Sequence, residues 1–482
     1  MPFRQFCVFL STVMTKRTVK RWGLGMLAVL TLLSAATVGG SCYMLSLSLT
    51  PERERQDTAQ CLRRLAEYHP EAMPWLDSIR SSGLLCDTFV VMPSGERHHA
   101  YIVRGDGCRV AVVVHGWRDC AIDFLHIARL YHQMGFNVLL PDLHAHGLSE
   151  GDAVGMGWNE RHDVLHWLSV AARRFRSNDF IVHGVSMGAA TAMNVAGEAM
   201  PKEVRSIRFV EDCGYTSVWD ELSHELRREY GLPDFPLLYV ASRICRLRHG
   251  WSFGEASPLR QLERSRQAVL FIHGDADDFV PSWMVQPLYD AKEGEKMLWM
   301  TRGTAHARSY DDYPREYDLH LRAWAGDAGA QLRLALAADR AEDYAKAAAL
   351  YRMVAGQGLA EAQNNLGVLF KDGQGVEQDY AEAARWFTLA AEQGNVLAQS
   401  NLGWLYQSGN GVQRDYAVAR KWYLLAACRG HAAAQNNLGT MYRDGKGVLE
   451  NADSASYWFR QAAEQGMELA KRNLEKMEGQ SR

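Results

Sequence analysis

The sequence predicts an α/β protein: a doubly wound, mainly parallel sheet under a helical cap, followed by an all-α solenoid and preceded by one transmembrane helix. Three observations carry this expectation. Between residues 85 and 326, short apolar runs alternate with helical stretches. From residue 327 onward the strands cease and a 36-residue repeat takes over. Ahead of both, an uncharged run extends from Trp22 to Leu49.

The N-terminal run is long enough to cross a bilayer, which takes about 20 apolar residues. Lys16, Arg17, Lys20 and Arg21 precede it. The excess of positive charge keeps that end on the cytoplasmic side. We therefore expect a cytoplasmic basic segment at 1–21, a signal-anchor at 22–44 and a charged connector with some helix at 45–84. The chain is then single-pass in the cytoplasmic membrane, with both later domains on the exported (periplasmic or extracellular) side. A cleaved signal peptide is the rival reading. Gly39-Gly40-Ser41 before Cys42 only loosely matches a lipoprotein cleavage box, because no Leu stands three residues upstream. Excluding Cys7 and Cys42, seven of the nine cysteines would face an oxidising compartment, and sequence does not pair them.

In the α/β region, Phe89–Met92 and Ala100–Val103 flank Pro93-Ser94-Gly95 as a hairpin. Val110–Val114, Asn137–Leu140, Phe180–His183, Ile207–Glu211, Ala268–Ile272 and Met297–Met300 follow. They are apolar without alternation, as strands covered on both faces must be. An insertion at about 214–266, with Trp219, Leu222, Leu226 and 237–240 as its apolar side, is long enough for a cap. Farther on, Asn365-Leu366-Gly367 recurs at 401 and 437, Asp379-Tyr380-Ala381 recurs at 415, and Gly358, Gly394, Gly430 and Gly466 close successive units. Each unit reads as helix, Gly-x-Gly turn, helix. Trp386, Trp422 and Trp458 read as one large residue per repeat packing between helices rather than as a ligand stripe.

The chemistry lies in four stretches. Gly184-Val185-Ser186-Met187-Gly188 follows a strand and opens a helix of small residues, the setting of a strained turn that exposes a serine oxygen. Val112–Val114 runs into His115-Gly116-Trp117. A late strand enters a loop holding Asp275, Asp277 and Asp278, and His306 follows the final apolar run. A serine, an acid and a histidine in that order suit nucleophilic catalysis.

Together these stretches resemble the α/β-hydrolase superfamily over about 85–325, closest to bacterial serine-aminopeptidase-like or lysophospholipase-like hydrolases. The resemblance implies Ser186 as nucleophile, His306 as base and the backbone amides of Trp117 and Met187 as oxyanion hole. It places the acid at Asp277, since His273-Gly274 and Val280-Pro281 frame it; Asp278 and Asp212 stay open as alternatives. The stretch Asp142 to Gly151 departs from the usual Arg-Gly-His-Gly by carrying His144-Ala145. The repeats resemble Sel1-like, tetratricopeptide-related units over about 330–475, which implies a protein partner rather than chemistry.

The expected function is a membrane-anchored serine hydrolase of an ester, thioester or amide, acting on a small-molecule, acyl or peptidyl substrate. A non-catalytic scaffold with a degenerate hydrolase domain is the alternative. No cofactor is called for. Nor is a metal: there is no CxxC pair or Cys/His cluster, and His98-His99 has no evident ligand partners. A net charge of −3 gives no reason to expect nucleic acid.

Overall fold

The computed structural model describes residues 16–51 and 57–480. Cys7, most of the expected basic segment and residues 52–56 of the expected connector lie outside them. The chain divides into two compact units, one ending at Pro314 and one beginning at Arg315.

The first unit opens with helix α1 (Lys16–Leu49), then α2 (Thr58–Tyr68) and α3 (Met73–Ser81). Its strands are β1 (Leu85–Val91), β2 (Arg97–Val103), β3 (Val110–Val114), β4 (Asn137–Pro141), β5 (Asp179–Val185), β6 (Ser206–Asp212), β7 (Ala268–Gly274) and β8 (Lys296–Thr301). Helices α4 (Leu125–Gln133), α5 (Glu160–Phe175) and α6 (Met187–Ala196) separate the early strands. Helices α7 (Val218–Tyr230), α8 (Leu237–His249) and α9 (Pro258–Arg264) fill the insertion, and α10 (Val285–Ala291) and α11 (Ser309–Asp312) come later.

The strands form one sheet in the order β1-β2-β4-β3-β5-β6-β7-β8, with β1 and β2 antiparallel and β4 onward parallel. Every residue of β3 and β4 is buried, which is why these strands read as unbroken Val and Leu. At the edge, β1 alternates between half-buried and exposed residues over its outer part. After β3 the chain crosses to one side for β4 and returns to the other for β5. A crevice therefore opens at the carboxyl ends of β3 and β5, where ligands bind in such sheets.

Helix α1 has two characters. Leu24, Leu27, Leu30 and Leu33 are exposed, within a span of mean hydropathy 1.7 from Leu24 to Leu49. Its last turns instead join the core through Leu45 and Leu49. Ser41 Oγ donates to the Leu237 carbonyl at 2.8 Å, and a Cβ at Gly40 would stand 3.0 Å from the Leu237 side chain. Gly40 and Ser41 thus let α8 approach closely. Residues 45–49, expected as connector, are helix, with Leu45 and Leu49 buried in the core of the sheet domain.

The second unit is helical throughout its described residues: α12 (Pro314–Trp324), α13 (Ala328–Arg340), α14 (Tyr344–Gly356), α15 (Ala360–Asp372), α16 (Tyr380–Glu392), α17 (Val396–Ser408), α18 (Tyr416–Cys428), α19 (Ala432–Asp444), α20 (Ala452–Glu464) and α21 (Glu468–Gln480). The repeated Asp is an N-cap, as Asp379 Oδ1 accepts the amides of Ala381 at 2.8 Å and Glu382 at 3.0 Å. The Gly-x-Gly glycines have positive φ, 70° and 67° at Gly373 and Gly375, where a side chain would be strained.

One packing expectation is sharpened: Trp422 and Trp458 pack against the cores of the repeats without filling them. Trp386, Trp422 and Trp458 are half-buried, and the aromatic that fills each inter-helix core is the next residue, Phe387, Tyr423 or Phe459. The helical period turns the Trp off the inward stripe by one position. The buried ring also explains the repeated Asn-Leu-Gly: a Cβ at Gly367 would lie 2.7 Å from the Phe387 ring.

Candidate active site

Ser186 sits where β5 meets α6, with φ 57° and ψ −120°. A non-glycine residue in that region costs about 1–3 kcal/mol, which the surroundings must hold. They do so at three points. The Ser186 amide donates to the Asp212 carbonyl at 2.8 Å. A Cβ on Gly184 would collide with the Gly188 backbone, and one on Gly188 with the Val114 carbonyl. The two glycines are therefore required by close approach, while the serine alone carries the positive φ.

His306, in the loop after β8, joins Ser186 to the acid loop after β7. Its Nδ1 lies 2.7 Å from Asp277 Oδ2, and its Nε2 lies 2.9 Å from Ser186 Oγ. An ionised carboxylate only accepts, so Nδ1 carries the proton and Nε2 accepts from the serine hydroxyl. The Asp277 side chain is fully buried, and its Oδ1 accepts the amides of Phe279 at 3.0 Å and Val280 at 2.9 Å. Those two amides aim Oδ2 at the imidazole. Asp275 and Asp278 are exposed, and Asp275 Oδ1 takes the Gly303 amide instead. Asp212 contributes its carbonyl to the Ser186 turn.

Met187 is the first residue of α6, so its amide has no intrahelical acceptor. Trp117 follows Gly116, whose Cβ position lies 3.6 Å from the Ser186 Cβ. Trp117 and Met187 line the same cleft as Ser186. His115 is buried and structural: its Nδ1 bonds the Gly116 carbonyl at 2.8 Å, and its Nε2 accepts the Leu143 amide at 3.0 Å. His183 meets the Tyr131 hydroxyl at 3.0 Å, and His273 meets the Val280 carbonyl at 2.9 Å. Cys213 Sγ gathers with donor atoms of Asp277 and His306, but burial, first of all, pushes its thiol well above the usual range.

Several cleft residues, Met44, Leu47, Met156 and Glu221 among them, are absent from the sequence reading. Ser186 opens into a cleft of about 240 Å³ lined by Met44, Leu47, Trp117, Met156, Leu222, Leu226 and Phe279, among others. Met44 and Leu47 belong to α1. The Trp117 indole donates to the Ser48 carbonyl at 2.9 Å, and the Arg118 guanidinium to the Leu47 carbonyl at 2.6 Å. No local pattern announces the apolar N-terminal helix as a cleft wall. Glu221, Glu225 and Glu229 also line it, one helical turn apart on α7. Their spacing of four was visible as one helix face. Burial, with the Glu225 and Asp277 charges, raises the Glu221 carboxyl well above the ordinary range.

Similarities to known proteins follow these divisions. The Bacillus subtilis (strain 168) uncharacterized protein YqkD is 32% identical over 230 residues, covering 46% of this chain and 74% of its own length. The chain belongs to the YqkD family. The YqkD-like half has the α/β-hydrolase fold, by its strand order and the serine turn after β5. The Sel1 repeat model matches residues 360–395, 396–431 and 432–467. Among solved structures, the Pyrococcus furiosus esterase Pf2001 aligns over 50% of this chain and 91% of its own, at 20% identity and TM-score 0.41. The uropathogenic Escherichia coli protective antigen c5321, described as displaying an SLR fold, aligns over 35% of this chain and 39% of its own, at 37% identity and TM-score 0.33.

Proposed function

We propose that this YqkD relative is a membrane-anchored serine hydrolase that cleaves an ester, thioester or amide through Ser186, His306 and Asp277. The observation that carries this reading is the unbroken hydrogen-bonded line from Asp277 Oδ2 through the imidazole to Ser186 Oγ. As Ser186 Oγ attacks the substrate carbonyl, His306 Nε2 takes its proton and Asp277 stabilises the imidazolium. The Trp117 and Met187 amides receive the developing oxyanion, each contributing about 2.7–4 kcal/mol in comparable sites. Collapse expels the alcohol, thiol or amine, which takes the proton from Nε2. Water, activated by the same nitrogen, then hydrolyses the acyl-enzyme.

The apolar cleft favours an acyl group, and the α1 wall sets the nucleophile beside the anchor. A substrate whose chain partitions into the bilayer would meet the serine without leaving the membrane surface. The Sel1 repeats supply the surface for a protein partner. A fluorophosphonate probe tests the core of the reading: the folded chain should label, and Ser186→Ala should not. A folded chain that takes no label would instead be a scaffold. Turnover rising with acyl length supports the substrate class, and a flat series removes it.

A further inference from the structure

A second cluster stands apart from Ser186, at the start of β2. Glu96 and His98 are two residues apart on the run into that strand, so both side chains leave on one face. His144 reaches them from the loop after β4. That loop is lashed to β2: the Arg97 amide donates to Glu150 Oε2 at 2.8 Å, and the Glu150 amide to the Arg97 carbonyl at 2.9 Å. The three donor atoms lie within 4.8 Å of one another. Glu96 Oε2 is 3.2 Å from His144 Nδ1 and 3.7 Å from His98 Nε2. Ligand atoms at about 2.0–2.1 Å around a tetrahedral zinc are about 3.3 Å apart, so these separations are those of a converging ligand set.

The second observation is an orphan. The His98 side chain is fully buried, yet neither ring nitrogen has a hydrogen-bond partner. Buried polar atoms are satisfied almost without exception, so an imidazole whose two nitrogens face carboxylates only beyond hydrogen-bond distance needs a physical reason. On the far side of the ring, Nδ1 faces Asp163 Oδ2 of α5 at 3.6 Å, and that oxygen is also buried and unpartnered. A cation on Nε2 with a carboxylate behind Nδ1 is the arrangement that orients histidine ligands at metal centres.

We propose that Glu96, His98 and His144 bind a divalent transition-metal ion of the zinc class, with Asp163 as the positioning residue behind His98. Two imidazoles and one carboxylate suit zinc, whereas calcium and magnesium take all-oxygen cages. Ser94 Oγ, donating to Glu96 Oε2 at 3.1 Å, holds the carboxylate in place. Glu96 is the most exposed of the three and gives the ion a way in. The ion would pin the β1–β2 hairpin to the loop after β4.

The test uses the full-length chain, loaded with zinc and passed through desalting, with metal counted by mass spectrometry and affinity by chelator competition. One ion per chain is expected. His144→Ala, on a loop whose anchoring bonds it does not make, should lose that ion and keep its fluorophosphonate labelling. Asp163→Asn should weaken binding by about 10- to 100-fold. Cobalt substitution should give visible d–d bands without a thiolate charge-transfer band. A wild-type chain that labels but retains no metal overturns the proposal. So does a His144→Ala variant that keeps its ion, or a thiolate band placing the ion on cysteines.

Discussion

Ser186 is held by constraints that act on its backbone, so its side chain can change without unfolding the turn. We therefore expect Ser186→Ala to keep wild-type thermal stability within about 1 kcal/mol while turnover falls by several orders of magnitude. Asp277→Asn should preserve the loop but present the wrong partner to His306 Nδ1, lowering kcat by about 10⁴-fold; a loss under tenfold would remove Asp277 from the relay. His183 makes a separate prediction. Burial lowers its value from 6.5 to about 3. The unfolded chain then binds a proton that the folded chain refuses, so stability falls as pH drops from about 6.5 toward 3 and is insensitive to this group above that window. The urea midpoint should decline across pH 7, 6 and 5, and less steeply in His183→Gln; equal slopes would show that the group does not contribute.

At the scale of elements, strands and repeats were legible because their periods are local. The apolar runs marked all eight strands to within a few residues, and β5 extends past His183 because Gly184 and Val185 still pair with β6. The repeat period was likewise plain, but not which aromatic it buries. Phe387→Ala should destabilise the second unit by about 3–5 kcal/mol, and Trp386→Ala by clearly less. Gly403→Ala, whose new methyl carbon would stand 2.8 Å from the Tyr423 ring, should cost about 1–3 kcal/mol. Urea unfolding followed by circular dichroism would measure all three, and the reverse order for Phe387 and Trp386 would restore the tryptophan as core.

For the whole molecule, the apolar exposed half of α1 and its docked end lead to one topological expectation. The chain should stay with membranes through carbonate extraction, as an uncleaved anchor does. An impermeant maleimide should reach the exposed Cys428 in intact spheroplasts. Labelling only after lysis would reverse the orientation. The cysteines also show what distance along the chain conceals: Cys61 and Cys120, 59 residues apart, are brought side by side, and no spacing rule pairs them.

By itself the sequence determined the fold class, the repeat architecture and the order of serine, acids and histidine, because apolar period, glycine turns and short motifs are local records of burial and backbone strain. It left Asp275, Asp277 and Asp278 open until a resemblance chose among them. Only the tertiary structure decided that His306 faces Asp277, that α1 walls the cleft, and that His144 and Asp163 converge on His98. Each of those is a meeting of segments far apart in the chain, set by how strands stack into a sheet and not by any residue's neighbours.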